Sequence, residues 1–348
     1  MKIQTITLFA FILLIGLSSC DNQPRPDHDL VVPPPVKGAV WVVNEGNFQS
    51  GNSSLTILNI GENKLYQNVF ESANSRSLGD VFQSVNIFNG RAYLVVNNSQ
   101  KIEVIHPTTY KSIATISGFT SPRYILQIDA TRAYVSEYYA NALKIVDLTN
   151  NVIIGSIPMA GLLEEMVMVK NKVYITNARG NFVYVVDPAN NTIIDSVKTV
   201  YSSNSIQVDS ASNVWVLSNG DPDKSILPSI QRINTDVDTV DRAFSLGMSE
   251  KNVTRLCINT KRNRLYWLSR HVYSMKITDQ SVSTTPLINA LDRNFYGLGV
   301  NPYDNQIYTS DARDFVQQST IIRYSQSGVY LGEFKAGLIA GDFYFYYP

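Results

Sequence analysis

Cysteine and histidine are scarce in this chain, and the scarcity closes off several chemistries. Two cysteines, Cys20 and Cys257, in 348 residues build neither a disulfide framework nor a CxxC pair. The three histidines, His28, His106 and His271, lie far apart, and no HExxH spacing occurs. Charge of one sign is missing too. Lys and Arg number 29 against 29 Asp and Glu, so no electrostatic footprint for nucleic acid or an acidic membrane surface stands out. Neither a GxSxG elbow nor a glycine-rich phosphate loop is present. The most apolar stretch, residues 6–17, falls short of the ~20 residues a membrane-spanning helix needs. A 3.6-residue apolar period is absent as well, which removes helical repeats.

What the chain has instead is short runs of β-formers punctuated by turn residues. Residues 83–116 show the unit most clearly. Residues 84–88 alternate, Asn89-Gly90 is a two-residue hairpin signal, and residues 92–96 are rich in β-branched and aromatic side chains. Asn97-Asn98-Ser99 breaks the chain again; residues 102–105, a turn holding Pro107, and residues 112–116 complete a four-strand meander. One such sheet buries neither face by itself, so it must stack on others. The second strand carries a large ring that recurs at Trp41, Tyr93, Tyr134, Tyr174, Trp215, Tyr266 and Tyr308, 40–52 residues apart. A period near 40 residues with four strands per repeat predicts an all-β fold, a β-propeller of seven blades.

The organisation along the chain follows from this. Lys2 and the apolar residues 6–17 form a targeting segment ending in Leu17-Ser18-Ser19-Cys20, which resembles the lipobox of bacterial lipoproteins. That resemblance implies a signal peptide over residues 1–19, lipidation at Cys20, and two acyl chains for anchoring. Residues 21–37 hold five prolines and no apolar period, and read as a semi-extended tether. The propeller then occupies residues 38–348. Blade one has strands at 40–44, 55–60 and 64–70, one fewer than the other repeats. The following blades run 84–116, 124–157, 165–197, 205–244 (with an insertion at 221–228), 254–284 and 296–334. The tail 338–346 aligns with the first strand of the other units. It is expected to supply the strand that blade one lacks and so close the ring. Cys257 reads as a small core hydrophobe on an alternating strand.

Function is expected on one rim. Turns between strands one and two and between strands three and four are tight, and both fall on the same side. The opposite rim collects the longer links, such as 44–52, 71–83, 117–123, 137–141, 177–181, 218–228 and 311–318, and long loops on a rigid scaffold are where binding lives. The candidate contacts are Asn44, Glu45, Phe48, Arg76, Gln83, Asn98, Arg123, Tyr124, Tyr138, Tyr139, Arg179, Tyr201, Asp221, Arg270, Tyr296 and Arg313. Tyr and Arg anchors with acidic acceptors suit a large, partly polar ligand or a protein surface, although blade-to-blade packing also claims such rings. His106 stands at a turn position that Asp147 and Asp187 hold in neighbouring blades; His271 lies on the candidate rim. Gly220-Asp221-Pro222-Asp223 hints at a calcium loop but lacks the rest of that motif. No catalytic constellation emerges, so an enzyme is not expected. A metal gathered by rim carboxylates, as in propeller lactonases, stays open as an alternative.

Residues 44–48 (NEGNF), 78–84 (LGDVFQS) and 97–104 (NNSQKIEV) resemble the YncE-like, DUF5074-type propeller surface lipoproteins of Bacteroides-type bacteria, most closely the BtuG-type proteins. The resemblance covers essentially the whole mature chain. It implies seven blades and a place on the outer-membrane surface, held by the lipid at Cys20. It also implies binding of cobalamin (vitamin B12) or a related corrinoid, as cargo rather than cofactor, and delivery to a TonB-dependent transporter. A monomer when free is expected. A propeller of this kind with another cargo (glycan, peptide or protein) is the alternative.

Overall fold

The computed structural model describes residues 38–247 and 252–348. The signal segment, Cys20 and the tether lie outside the described residues. Among the described residues, seven antiparallel sheets form, six with four strands and one with three. The last strand, Ala340–Tyr346, pairs antiparallel with the first, Ala39–Asn44, so the two ends of the fold share one sheet. Beyond the paired strands, the Glu45 and Gly46 N–H groups donate to the carbonyls of Ile339 and Leu338. Closure leaves the innermost strand of blade one supplied by the C-terminus, as the alignment of residues 338–346 requires.

The repeating aromatic has a specific duty. Trp41, Tyr93, Tyr134, Tyr174, Trp215, Tyr266 and Tyr308 are each at most 1% exposed. Each sits in a different one of seven apolar clusters, and each cluster joins its blade to the next. Blades diverge from the axis, so the gap between neighbouring sheets needs a bulky side chain on the second strand to fill it at interior density. Several of these rings carry a polar tip that is tied locally: Tyr134 donates to Asn191 at 2.6 Å and Trp215 to Asp209 at 2.9 Å.

Turn chemistry caps the narrow rim. Asp147 and Asp187 accept the N–H two residues on, from Thr149 at 2.8 Å and Ala189 at 2.9 Å. His106 does the same with Nδ1, accepting from Thr108 N–H at 3.2 Å. A turn role therefore accounts for it.

Two elements differ from the sequence reading. The strand expected over 64–70 stops at Tyr66, and Val69–Asn74 forms a short helix. Asn68 turns left-handed, and Val69, Phe70 and Ala73 then face the core between blades one and two, a burial that a continued edge strand would not give. Blade six ends at Lys276 with three strands. Asp279 accepts the Lys276 N–H at 2.7 Å and turns the chain away, and the Ser/Thr-rich stretch that follows forms no fourth strand, although Ile277 and Val282 pack against the cluster between blades five and six. It returns at Ile288 as a single bridge to Val272. Cys257 is also more exposed than a core residue. It borders an axial cavity, with burial pushing its thiol well above the usual range.

Candidate functional site

A cavity of about 940 Å³ opens on the rim of long links. The side chains that line it come from a repeated irregularity. In every sheet, the pairing of the innermost strand with its neighbour slips near the mouth. The residues left out of register are Gln83, Arg123-Tyr124, Glu164-Glu165, Asn204, Arg255-Leu256, Tyr296-Gly297 and Gly341. A bulge bends its strand and re-aims the extra side chain. Here it points a polar or aromatic residue at the axis from six blades. In the seventh, glycine leaves room: a Cβ on Gly341 would come within 2.1 Å of Glu45 Oε1. Hydroxyls on the second strands meet the bulges, as when Ser136 Oγ accepts from Tyr124 N–H at 3.2 Å and Ser310 Oγ from Gly297 N–H at 2.7 Å.

The charges of the floor are largely spent on one another. Arg123 donates through Nε and Nη2 to the two oxygens of Glu164, each at 3.0 Å, and through Nη1 to Gln83. Its guanidinium also lies 5.0 Å from the Tyr138 ring centroid. Arg255 Nη2 reaches Glu45 at 3.4 Å, and Tyr296 donates its hydroxyl to the other oxygen of Glu45 at 2.9 Å. Burial raises the Glu45 pKa, an effect that Arg255 and the Tyr296 hydroxyl only partly offset. Glu165 has no cationic partner among the described salt bridges. Burial lifts its pKa to about 8 against the bonds it accepts from Ile206 N–H at 3.0 Å and Ser205 Oγ at 2.8 Å. Buried charges at Arg123 and Arg255 are held by their acidic and phenolic neighbours, which outweigh desolvation and push both guanidinium pKa values up.

Of the residues singled out in the sequence, the mouth brings together Glu45, Gln83, Arg123, Tyr124, Tyr138, Arg270 and Tyr296. The others stand elsewhere. Asn44 is buried, its amide bonded to Ser54 and Thr56 and its Oδ1 accepting from Gly337 N–H. Phe48 is 66% and Tyr139 68% exposed on outer loops. Arg76 pairs at 2.5 Å with Glu103, which is fully buried on blade two. Asn98 donates to Asp80 at 2.5 Å. Asp221 is bound by Lys224 at 2.8 Å, and that ammonium lies 5.4 Å from the Tyr201 ring. Arg179 is exposed, and Arg313 donates to Thr320 at 3.2 Å. His271 Nδ1 accepts from Ala290 N–H at 3.1 Å, which anchors the returning segment of blade six.

Sequence reasoning passed over Glu164, Glu165, Asn204, Asn219, Arg255, Asn294 and Phe315, all of which line the cavity. The bulges left a trace in one repeat alone, where the acidic pair in Leu163-Glu164-Glu165-Met166 interrupts the alternation. Among the described residues no three His, Cys, Asp or Glu side chains are grouped to hold a metal ion.

The three segments carrying the family resemblance are knotted to one another beside the mouth. Phe82 N–H donates to Glu45 O, Asn97 N–H to Val81 O, and Asp80 N–H to Ser99 Oγ. Gly79 has φ +140°, and a Cβ there would meet Ser99 Oγ at 2.5 Å, so the motif needs glycine.

Comparison with solved structures places the fold in wide company. A functionally unknown protein from Desulfotomaculum acetoxidans is similar at 13% identity and a TM-score of 0.67, over 90% of this chain and 99% of that one. A quinonprotein alcohol dehydrogenase-like protein from Bacteroides thetaiotaomicron is 15% identical with a TM-score of 0.66, over 86% and 76%. Hydrazine synthase from Kuenenia stuttgartiensis is 12% identical with a TM-score of 0.60, over 73% and 85%. At such identities the likeness is one of fold. No curated protein matches. A family profile described as a domain of unknown function, DUF5074, matches residues 37–348, and the chain belongs to that family.

Proposed function

We propose that the protein is a cargo-binding propeller that captures cobalamin or a related corrinoid at its mouth and passes it to a TonB-dependent outer-membrane transporter. The observation that carries this reading is the make-up of the mouth. Flat faces from Tyr138, Phe295, Tyr296 and Phe315 stand among the amides of Gln83, Asn204, Asn219, Asn252 and Asn294. A corrinoid presents a flat macrocycle edged by amides, so rings to lie against it and amides to bond its rim are complementary chemistry. The opening takes one face of such a ligand and leaves the other exposed for a second protein. Because Arg123 and Arg255 are already engaged with carboxylates, the floor offers little free charge, which suits a cargo recognised by shape and neutral hydrogen bonds. The chain holds its cargo without transforming it. In this reading the lipid at Cys20 and the tether 21–37 keep the propeller at the outer surface of the outer membrane, and the free protein is a monomer.

Calorimetric titration of the mature chain with cyanocobalamin tests the proposal. One-to-one saturable binding is expected, and the absence of saturable heat at micromolar ligand overturns it. Retention on a glycan array in that case would favour a different cargo at the same mouth.

A further inference from the structure

The guanidinium groups at the mouth are not equivalent. Four line the cavity, and three of them are matched by a carboxylate. Arg123 is bound by Glu164 and Arg255 by Glu45, while Arg293 Nη2 meets Glu333 at 3.1 Å and its Nη1 donates to the Tyr324 hydroxyl at 3.0 Å. Arg270 is the fourth, and among the described residues its side chain has neither a carboxylate nor any other hydrogen-bond partner. The remaining lining carboxyl, Glu165, is held mostly neutral at neutral pH by its burial, which lifts its pKa to about 8. Matched pairs cancel, so the mouth keeps a single positive charge, on the wall that blade six contributes.

That charge is presented by a fixed piece of backbone. Arg270 is the middle residue of the link between strands Arg264–Leu268 and Val272–Lys276. Ser269 N–H donates to the His271 carbonyl across it at 3.1 Å, and the Ala290 N–H anchors His271 Nδ1. An exposed arginine on a convex surface is hydrated and needs no partner, but this one faces a concavity whose other charges are spent. Electrostatic complementarity then asks for one anionic group on the cargo, placed at the blade-six side. The corrinoid reading, on which the assignment rests, identifies that group. Amides at the ring edge are neutral, and the phosphodiester that joins a complete corrinoid to its nucleotide tail is its one anion. We propose that Arg270 binds that phosphodiester and so makes the mouth select complete corrinoids over those lacking the tail. The fork of a guanidinium matches two phosphate oxygens, where an ammonium offers a point charge. Ring and tail are read by different parts of the mouth: aromatic faces and amides take the macrocycle, and one charge takes the tail.

Calorimetric titrations at neutral pH compare cyanocobalamin with dicyanocobinamide, which keeps the ring and its amides but has no phosphodiester. The proteins are the parent, Arg270→Gln, Arg270→Lys and Arg179→Gln. Arg270 is exposed, so its variants are expected to melt with the parent. Cyanocobalamin is expected to bind Arg270→Gln at least about tenfold more weakly, the loss of a charge-assisted bond, while dicyanocobinamide binds parent and variant alike. Arg270→Lys keeps the charge and is expected to recover part of that loss. Arg179 is exposed and outside the cavity lining, so Arg179→Gln is expected to leave both affinities close to those of the parent, its charge being screened by salt. Equal weakening of both ligands in Arg270→Gln, unchanged cyanocobalamin affinity there, or an equally large loss in Arg179→Gln would each overturn the assignment while leaving the corrinoid reading in place. A parent that binds no cyanocobalamin overturns the reading and the assignment together.

Discussion

Glu165 is a carboxylic acid whose surroundings favour its neutral form. Its folded pKa, about 8, stands above the ordinary 4.5 because burial outweighs the bonds from Ser205 and Ile206. Below pH 4.5 the proton is bound in the folded and unfolded chains alike. Between that value and about 8 the folded protein keeps a proton that the unfolded chain releases, so stability falls as pH rises and the loss is complete above the folded pKa. Raising a pKa by one pH unit is worth about 1.4 kcal/mol, so the loss is bounded at a few kcal/mol. Glu45 and Asp342 are raised as well, also by burial, and add to the slope. Glu165→Gln is therefore expected to flatten the decline between pH 5 and pH 9 and to be more stable than the parent at pH 9. Urea melts across that range check it, and parallel curves for the two proteins would contradict it. None of this was legible in the sequence. Two adjacent glutamates on a strand read as solvated until the bulge that turns both toward the axis is known.

At the level of elements, the ring of large aromatics made the fold legible, because the divergence of neighbouring blades demands a bulky side chain at one position in each repeat. Trp41 and Tyr308 belong to the two clusters that flank blade one, and the latter also holds Phe343 and Phe345 of the closing strand. The closing strand itself was legible by elimination, since residues 338–346 matched a strand that blade one lacked. What escaped were departures from the repeat: the helix at Val69–Asn74, the missing fourth strand of blade six, and the bulges. Each is decided by tertiary packing rather than by local pattern. Deleting residues 336–348 removes the innermost strand of blade one and exposes the edge of Ala39–Asn44 along its length. The truncated chain is expected to lose cooperative thermal unfolding, followed by circular dichroism. A melt near the parent temperature would show that the ring does not depend on its closure.

Across the whole molecule, seven similar sheets yield a dissimilar mouth because six contribute their own bulge side chain to a common floor and the seventh, at Gly341, leaves room for Glu45. Structure and recognition are separable there by what each side chain is bonded to. Arg123 is committed to Glu164 and Gln83, whereas Tyr138 is half-buried, with its ring turned to the cavity and against the Arg123 guanidinium. Arg123→Ala strands Glu164, which is only 6% exposed, without its cation, and a broken buried pair costs about 3–5 kcal/mol. Replacing both partners, Arg123→Met with Glu164→Leu, is expected to recover most of that loss, because no charge is then left unpaired. Tyr138→Ala removes only contacts at the cavity wall and is expected to leave the melting temperature close to that of the parent while weakening cyanocobalamin at least about tenfold. Denaturant melts paired with calorimetry on the three variants separate the two roles. If Tyr138→Ala binds cargo as tightly as the parent, the aromatic faces of the mouth are scaffold, and the corrinoid reading loses the contact it most depends on.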